Sequence, residues 1–295
     1  MERITYTNSA GESIVIATNS PAYRLKSFLS KPVKHRVLTS KGYKQDGETY
    51  ESSNAEPRDL VLSFIILGDG FADQYGKRFG IKGIIAPELS PGTLRYENDY
   101  FTDGVEIVVK IEEEPSFGAG KDLGRHSQVC AVVATAYDPY WRDIEYTEIE
   151  LVGITGGFYW DSPEYFDGAF YMGEVSSASK LVNNRGHVPA PLIFEWQGES
   201  ENPKITLVDT GEFILLSETL DSDTKLIINT AYGNKSVYVQ TISTGGQIKN
   251  NSLVDPTSKF FSLPRGNSTL SLSADSGAAA AAVKAKYKNL YSGVV

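Results

Sequence analysis

Two groups of acidic residues have the spacing that hydrolytic chemistry uses. Glu145, Glu148 and Glu150 lie close together, and Glu112, Glu113 and Glu114 form a run before Pro115. Glycoside hydrolysis needs two carboxylates roughly 5 to 10 Å apart. His126, four residues before Cys130, adds an imidazole and a thiol of the kind used in nucleophilic catalysis. Gly118 to Gly124, Gly-Ala-Gly-Lys-Asp-Leu-Gly, resembles a phosphate-cradling loop superficially. Each has a plainer explanation. The glutamates occupy alternating or strand-end positions, where exposed charge discourages edge-to-edge association. On a strand, His126 and Cys130 are separated by two double steps, and the cysteine reads as a buried structural thiol. The glycine segment lacks the Gly-Lys-Ser/Thr ending and no helical pattern follows it, so it reads as a connection between strands. His35, between Lys34 and Arg36, reads as an exposed strand residue, and His187 as part of a turn with Pro189. Gly-x-Ser-x-Gly, His-Glu-x-x-His, Walker and dinucleotide fingerprints are absent. The expectation is a protein without a catalytic residue, a metal or a cofactor.

The aromatic cluster Phe158, Tyr159, Trp160, Tyr165, Phe166 lies in a Gly/Asp/Ser-rich segment. Three roles fit it: a loop closing its own core, a protein interface, or a platform on which sugars stack.

The elements that must position these residues are mostly short β-strands. Val105, Ile107, Val109 and Ile111 alternate with Glu106 and Lys110, and β-branched runs recur at Ser13 to Ala17, Leu60 to Leu67, Val129 to Ala134, Leu226 to Thr230 and Val237 to Ile242. Strands so often interrupted by Gly, Asn, Asp, Ser and Pro favour sandwiches or barrels over βαβ units. One helix is expected between Asp69 and Ile85, with Phe71, Tyr75 and Phe79 at i, i+4, i+8 packing it onto a sheet and Asp69 or Asp73 capping it. The tail is ambiguous: Ala278 to Ala282 favour a helix, but Val283, Ala285 and Tyr287 alternate with lysines, which favours a closing strand. A Pro-containing aromatic turn at Tyr137 to Trp141 marks a junction, so two domains are expected, 1–143 and 144–295. Gly42 to Arg58 and Ser162 to Pro191 read as long irregular segments.

Composition narrows the class. The chain has 295 residues, enough for two domains, with 41% hydrophobic and 11% aromatic residues, a profile of folded rather than disordered chains. One cysteine forbids an intrachain disulfide, and with three histidines it makes a Cys/His zinc site untenable. A formal charge of −9 argues against binding a phosphate backbone. The N-terminus has no apolar signal core, and no run is long and apolar enough to span a bilayer, so a soluble protein made in the cytosol is expected.

The order of the turn motifs carries a resemblance. Ile4-Thr5-Tyr6, Tyr23-Arg24-Leu25, Asp46-Gly47 leading to Glu56-Pro57-Arg58, and Gly92-Thr93-Leu94-Arg95-Tyr96-Glu97-Asn98-Asp99 resemble the N-terminal domain of siphophage distal tail proteins. Asn183-Asn184-Arg185-Gly186, Asn202-Pro203-Lys204-Ile205, Asp209-Thr210-Gly211-Glu212 and Leu263-Pro264-Arg265-Gly266 are similar to successive turns of that family's galectin-like C-terminal domain. The resemblance implies a mainly β fold of two sandwich-like domains, the first with a packed helix and the second galectin-like. It also implies a virion protein forming a hexameric ring at the distal end of the tail. Its implied partners are copies of itself, the tail-tube protein, and tail-tip, baseplate or receptor-binding proteins, with DNA passing through unbound and no membrane involved. Six copies would carry a charge of about −54, which suits a passage that lets DNA slide. By the same analogy Gly42 to Arg58 and the hairpin around Glu97 to Gly104 are arms reaching a neighbour. The interface candidates are therefore Tyr43, Tyr50, Tyr100 and Phe101, with Tyr159, Trp160 and Tyr165 from the aromatic cluster, although Phe158 to Ser179 matches no family motif. The alternative is a carbohydrate-binding module that recognises host wall glycans through its C-terminal domain, since a fold does not fix a function.

Overall fold

The computed structural model describes residues 1–151, 177–277 and 281–294. They divide into two compact units, Met1–Ile144 joined by the residues from Leu290 onward, and Glu145–Asn289. Both are built mainly of β-strands, as the alternation in the sequence predicts.

The first unit contains β1 (Arg3–Thr7), β2 (Ser13–Ala17), β3 (Tyr23–Ser30), β4 (His35–Ser40), β5 (Thr49–Ala55), β6 (Arg58–Leu67), α1 (Phe71–Ile84), β7 (Gly92–Glu97), β8 (Val105–Ile111), β9 (Ser116–Phe117), β10 (Ser127–Ala136) and β11 (Trp141–Asp143). Within its large sheet the neighbours run β11-β8-β7-β1-β2-β3-β6-β10-β9, and a further pairing of β8 with β10 closes the sheet on itself. Closure follows from the period of two: Leu60, Leu62, Phe64 and Ile66 of β6 face inward with Ile107 and Val109 of β8 and Cys130 and Val132 of β10, and all are buried. Phe28, Tyr96 and Trp141 pack as an aromatic group at one end of this core, with ring centroids 5.6 to 6.2 Å apart.

Among the described residues α1 is the only α-helix. It starts without a side-chain cap: Gly70 stands at the N-cap position, and Asp73 instead accepts the Asp69 N–H at 3.0 Å. The expected packing face is overturned. Phe71, Tyr75 and Phe79 are exposed, and α1 covers the core with Gln74 and Ile81, followed by Ile85. At 100° per residue, Gln74, Ile81 and Ile85 fall on one side of the wheel, the aromatic stripe flanks it, and Gly76, Gly80 and Gly83 point away. Two isoleucines near the helix end suffice to close the core, and the apolar stripe is left in water.

The second unit contains β12 (Thr147–Leu151), β13 (Ser177–Asn184), β14 (Leu192–Gln197), β15 (Ser200–Glu201), β16 (Lys204–Leu207), β17 (Glu212–Leu215), β18 (Thr219–Leu220), β19 (Thr224–Asn229), β20 (Ser236–Thr241), β21 (Gln247–Lys249), β22 (Gly266–Ser273) and β23 (Ala282–Tyr287). Among the described residues one sheet runs β12-β23-β14-β19-β20-β21, a second runs β13-β22-β16-β17, and β15 pairs with β18. Their inner faces share a core of Phe194, Trp196, Ile205, Leu226, Leu270 and Val283 with their neighbours, which makes a sandwich. The ambiguous tail is a strand: Val283, Ala285 and Tyr287 are buried and the lysines between them are not.

The last strand, β24 (Leu290–Tyr291), returns to the first unit and pairs with β11, Trp141 against Tyr291 and Arg142 against Leu290. The expected span 144–295 for the second domain differs in this: the second unit ends at Asn289 and is inserted between two paired strands of the first.

Candidate functional site

The residues that could have done chemistry are spent on structure. Cys130 is fully buried beside Phe64, and burial pushes its thiol up to about 12, despite the opposing influence of Arg78. His126 is exposed, with Nδ1 3.1 Å from the Gly68 carbonyl oxygen, so no imidazole–thiolate pair forms. In the glycine segment the Gly118 N–H donates to Val129 and the Gly124 N–H to Ser127, both at 2.8 Å, so the loop is pinned along β10. Glu112 accepts from the Tyr137 hydroxyl at 2.9 Å, and Glu114 pairs with Lys82 at 2.5 Å. Among the described residues no cluster of three or more His, Cys, Asp or Glu could hold a metal.

Glu148 and Glu150 belong to a charge ladder on the outer face of the six-stranded sheet. Glu148 pairs with Lys286 at 3.0 Å, Glu150 with Lys284 at 3.2 Å, and Glu195 with both Lys286 at 3.0 Å and Lys225 at 2.7 Å. Burial alone would raise the Glu195 carboxyl, but the two lysines outweigh it and hold it below the ordinary glutamate value. Hydrogen bonds that Lys286 donates to Glu148 and Glu195 hold it above the ordinary lysine value. These are ionised pairs, not an acid poised to donate a proton.

The surface of the first unit is of another kind. β4 and β5 pair only with each other, and every residue of β4 is exposed. The segment expected to be irregular is thus a two-stranded ribbon, held across its width by its own polar side chains: Thr39 bonds Glu48 and Ser40 bonds Glu51, both at 2.5 Å. Gly47 takes a positive φ of 79° in the connecting turn, a conformation that favours glycine. Tyr43 in this turn is 94% exposed, and Tyr50 is exposed with its hydroxyl donating to Ser53 at 3.0 Å. Tyr100 is 84% exposed at the tip between β7 and β8, while Phe101 packs against Tyr291 at 5.6 Å between ring centroids. Tyr159, Trp160 and Tyr165 lie outside the described residues. In the second unit Trp196 is buried and donates to Ser200 at 2.9 Å, so it offers no stacking face to a sugar. Sequence reasoning missed the exposed stripe of α1; its signal was the glycines at 76, 80 and 83, which no core-facing helix needs.

Among the described residues the chain is thus a two-unit β protein with a two-stranded ribbon that joins no larger sheet. The comparisons make this specific: residues 185–291 match the family described as the siphovirus-type tail component, C-terminal domain. The structure of the Dit protein of SPP1, described as a paradigm of hub adsorption apparatus in Gram-positive infecting phages, is similar over 97% of this chain and 98% of that one, with a TM-score of 0.63 and 12% identity. Two structures of the phage P2 baseplate in its activated conformation also match. The calcium form covers 98% of both chains at a TM-score of 0.52 and 12% identity. The strontium form covers 97% of this chain and 98% of that one, at 0.50 and 13%. A search of the curated proteins returns no match. At such identities the structural likeness is one of fold, and it extends over both units. Residues 185–291 thus match the C-terminal domain of siphovirus-type tail components, and the chain as a whole shares its fold with the Dit protein of SPP1.

Proposed function

We propose that this protein is a structural subunit of a long non-contractile phage tail. It assembles head to tail into a closed ring of six copies that joins the tail tube to the tail tip or baseplate. The observation that carries this reading is the fold shared with a hub protein along nearly the whole of both chains. Three features support it. The ribbon β4–β5 projects with Val37, Leu38, Tyr43 and Tyr50 in water, and a two-stranded ribbon is at best marginally stable unless something covers it. Among the described residues the first unit carries most of the large exposed hydrophobics, which supports a ring-forming role for it. The formal charge of −9 per copy suits a passage that DNA traverses without being held. The tail-tube protein and the tip or baseplate proteins are the partners of this ring, and its place is the distal end of the virion tail.

The test is deletion of Tyr43 to Ala55. Native mass spectrometry and negative-stain imaging should show rings for the intact protein and their loss for the deletion, with the unfolding temperature of the first unit little changed. Rings of undiminished stability after the deletion would refute the role given to the ribbon.

A further inference from the structure

β6 has two apolar faces, which is unusual for a strand with solvent on one side. Leu60, Leu62, Phe64 and Ile66 face the core that α1 helps to close, while Val61, Ser63 and Ile65 face the other way. The register continues this outer face across three strands. Leu29 of β3, Val61 and Val133 of β10 form one row, and Ser27, Ser63 and Ala131 the next. Neither row contains an ionisable side chain. The charges border these rows: Arg24 and the exposed Lys26, the extra residue of the β3 bulge between Leu25 and Ser27, at one end and, at the other, Asp59, paired with Lys31 at 2.7 Å. Leu29 and Val133 are exposed and none of the six is buried.

The outward side of α1 matches this face in character. Phe71, Tyr75 and Phe79 form a ridge, with Phe79 83% exposed, and each neighbouring cation is engaged by a group of the same chain. Lys77 is bound to Asp73 and to the Leu67 carbonyl, Lys82 to Glu114, and the Arg78 guanidinium lies over the Tyr75 and Phe117 rings at 5.0 and 4.6 Å. Beside the ridge a Cβ added at Gly76, Gly80 or Gly83 would meet nothing within 4 Å, so a second backbone has room to approach. The three rings leave roughly 400 Å² in water, about half of what one partner buries in a standard interface.

We propose that the ridge of α1 in one copy seats on the uncharged outer face of β3, β6 and β10 in the next copy. This rests on the self-assembly reading above and names the two surfaces that meet. The occupant is a second copy for two reasons. The contacting rows of each surface are free of charged side chains, so each suits the other better than it suits a charged partner. They also lie on opposite sides of β6, so one chain cannot satisfy itself, whereas copies in series can, and such head-to-tail contacts close into a ring when the rotation allows.

The test uses the full chain by analytical ultracentrifugation and native mass spectrometry, with circular dichroism as the fold control. Phe79→Glu and Val133→Lys change exposed positions and should leave the fold intact. Each alone should lose the ring and sediment as a monomer, with the association constant down at least tenfold. An equimolar mixture of the two can alternate an unaltered contact with a Glu–Lys contact and should therefore assemble beyond the dimer, which neither variant does alone. The double variant Phe79→Glu/Val133→Lys puts opposite charges on the two facing surfaces and should regain larger assemblies. If both single variants keep the intact protein's mass, the assembly reading stands and this contact is wrong. If the unaltered protein is monomeric at every concentration, the assembly reading fails and the contact with it.

Discussion

Gly76 and Gly80 sit in the interior of α1, where glycine costs up to about 1 kcal/mol relative to alanine because it gives up the most backbone freedom. Nothing in the chain accounts for that cost, since a Cβ at either position points into open space. Gly76→Ala and Gly80→Ala should therefore each stabilise the isolated subunit by about 0.5 to 1 kcal/mol, read as a higher urea midpoint at an unchanged slope. An unchanged or lower midpoint would show that the glycines serve the fold itself. The same helix shows what residue spacing can and cannot convey. Its existence between Asp69 and Ile85 was readable from the period of the apolar residues, while Gly76, Gly80 and Gly83 blurred its end, which the structure puts at Ile84. Which stripe faced the core was not, because hydrophobicity marks a side chain for removal from water without saying whether its own chain or another copy removes it. Ile81 and Ile85, too few to make a stripe, hold the buried side. For Cys130 the plain reading of a lone thiol sufficed, since its inward position on β10 decides its chemistry.

The strands were readable where one face is buried and the other wet. β2, β6, β8, β10, β19 and β20 lie on or within a few residues of the alternating runs, because a period of two is imposed by burial of one face. The β4–β5 ribbon has no such alternation, being exposed on both faces and rich in Ser, Thr and Asn, so nothing in its hydropathy distinguishes it from a loop. The ladder across β12, β23, β14 and β19 is a property of paired elements, legible only once register is known. It makes a prediction about pH. Glu195 has its folded pKa lowered, so its contribution is present above the unfolded-state value, near about 4.3, and is lost as pH falls through the folded value. Lys286 has its folded pKa raised, so its contribution is present below its unfolded value, near about 10.4, and is lost as pH rises through the folded one. The ladder thus stabilises across the neutral range and fades at both extremes. Glu195→Gln should cost about 0.5 to 1 kcal/mol in urea unfolding at neutral pH, and the difference from the unaltered protein should shrink as pH falls through the lowered folded value. A difference that persists in acid would mean that Glu195 acts through packing rather than charge.

At the scale of the molecule, the second unit enters and leaves the first through two neighbouring strands. The junction after Tyr137 to Trp141 was readable from its turn residues; the return was not, since Leu290 and Tyr291 are two residues without a period, and their partner β11 lies about 150 positions earlier. This arrangement assigns the last residues a structural task. The Arg58 side chain is only 3% exposed in the first unit, its Nη1 donating to the Ser292 carbonyl at 2.8 Å while its other guanidinium nitrogens have no partner. Tyr291 donates to Asp143 at 3.0 Å and packs on Phe101. Paired antiparallel strands lie about 5 Å apart, so a short Asn-Gly turn can join Ile144 to Leu290 in place of residues 145–289. The spliced chain should fold cooperatively, because among the described residues the core of the first unit is built from its own side chains. Simple truncation after Ile144 removes β24 and the acceptor of Arg58, and a buried donor stripped of its partner costs about 1 to 3 kcal/mol. The truncated chain should therefore unfold at a clearly lower urea concentration than the spliced one, with the same far-ultraviolet spectrum if it folds at all. Equal midpoints would mean that the returning strand is ornamental to the first unit. A spliced chain that fails to fold would mean that the two units depend on each other beyond the two strands that connect them.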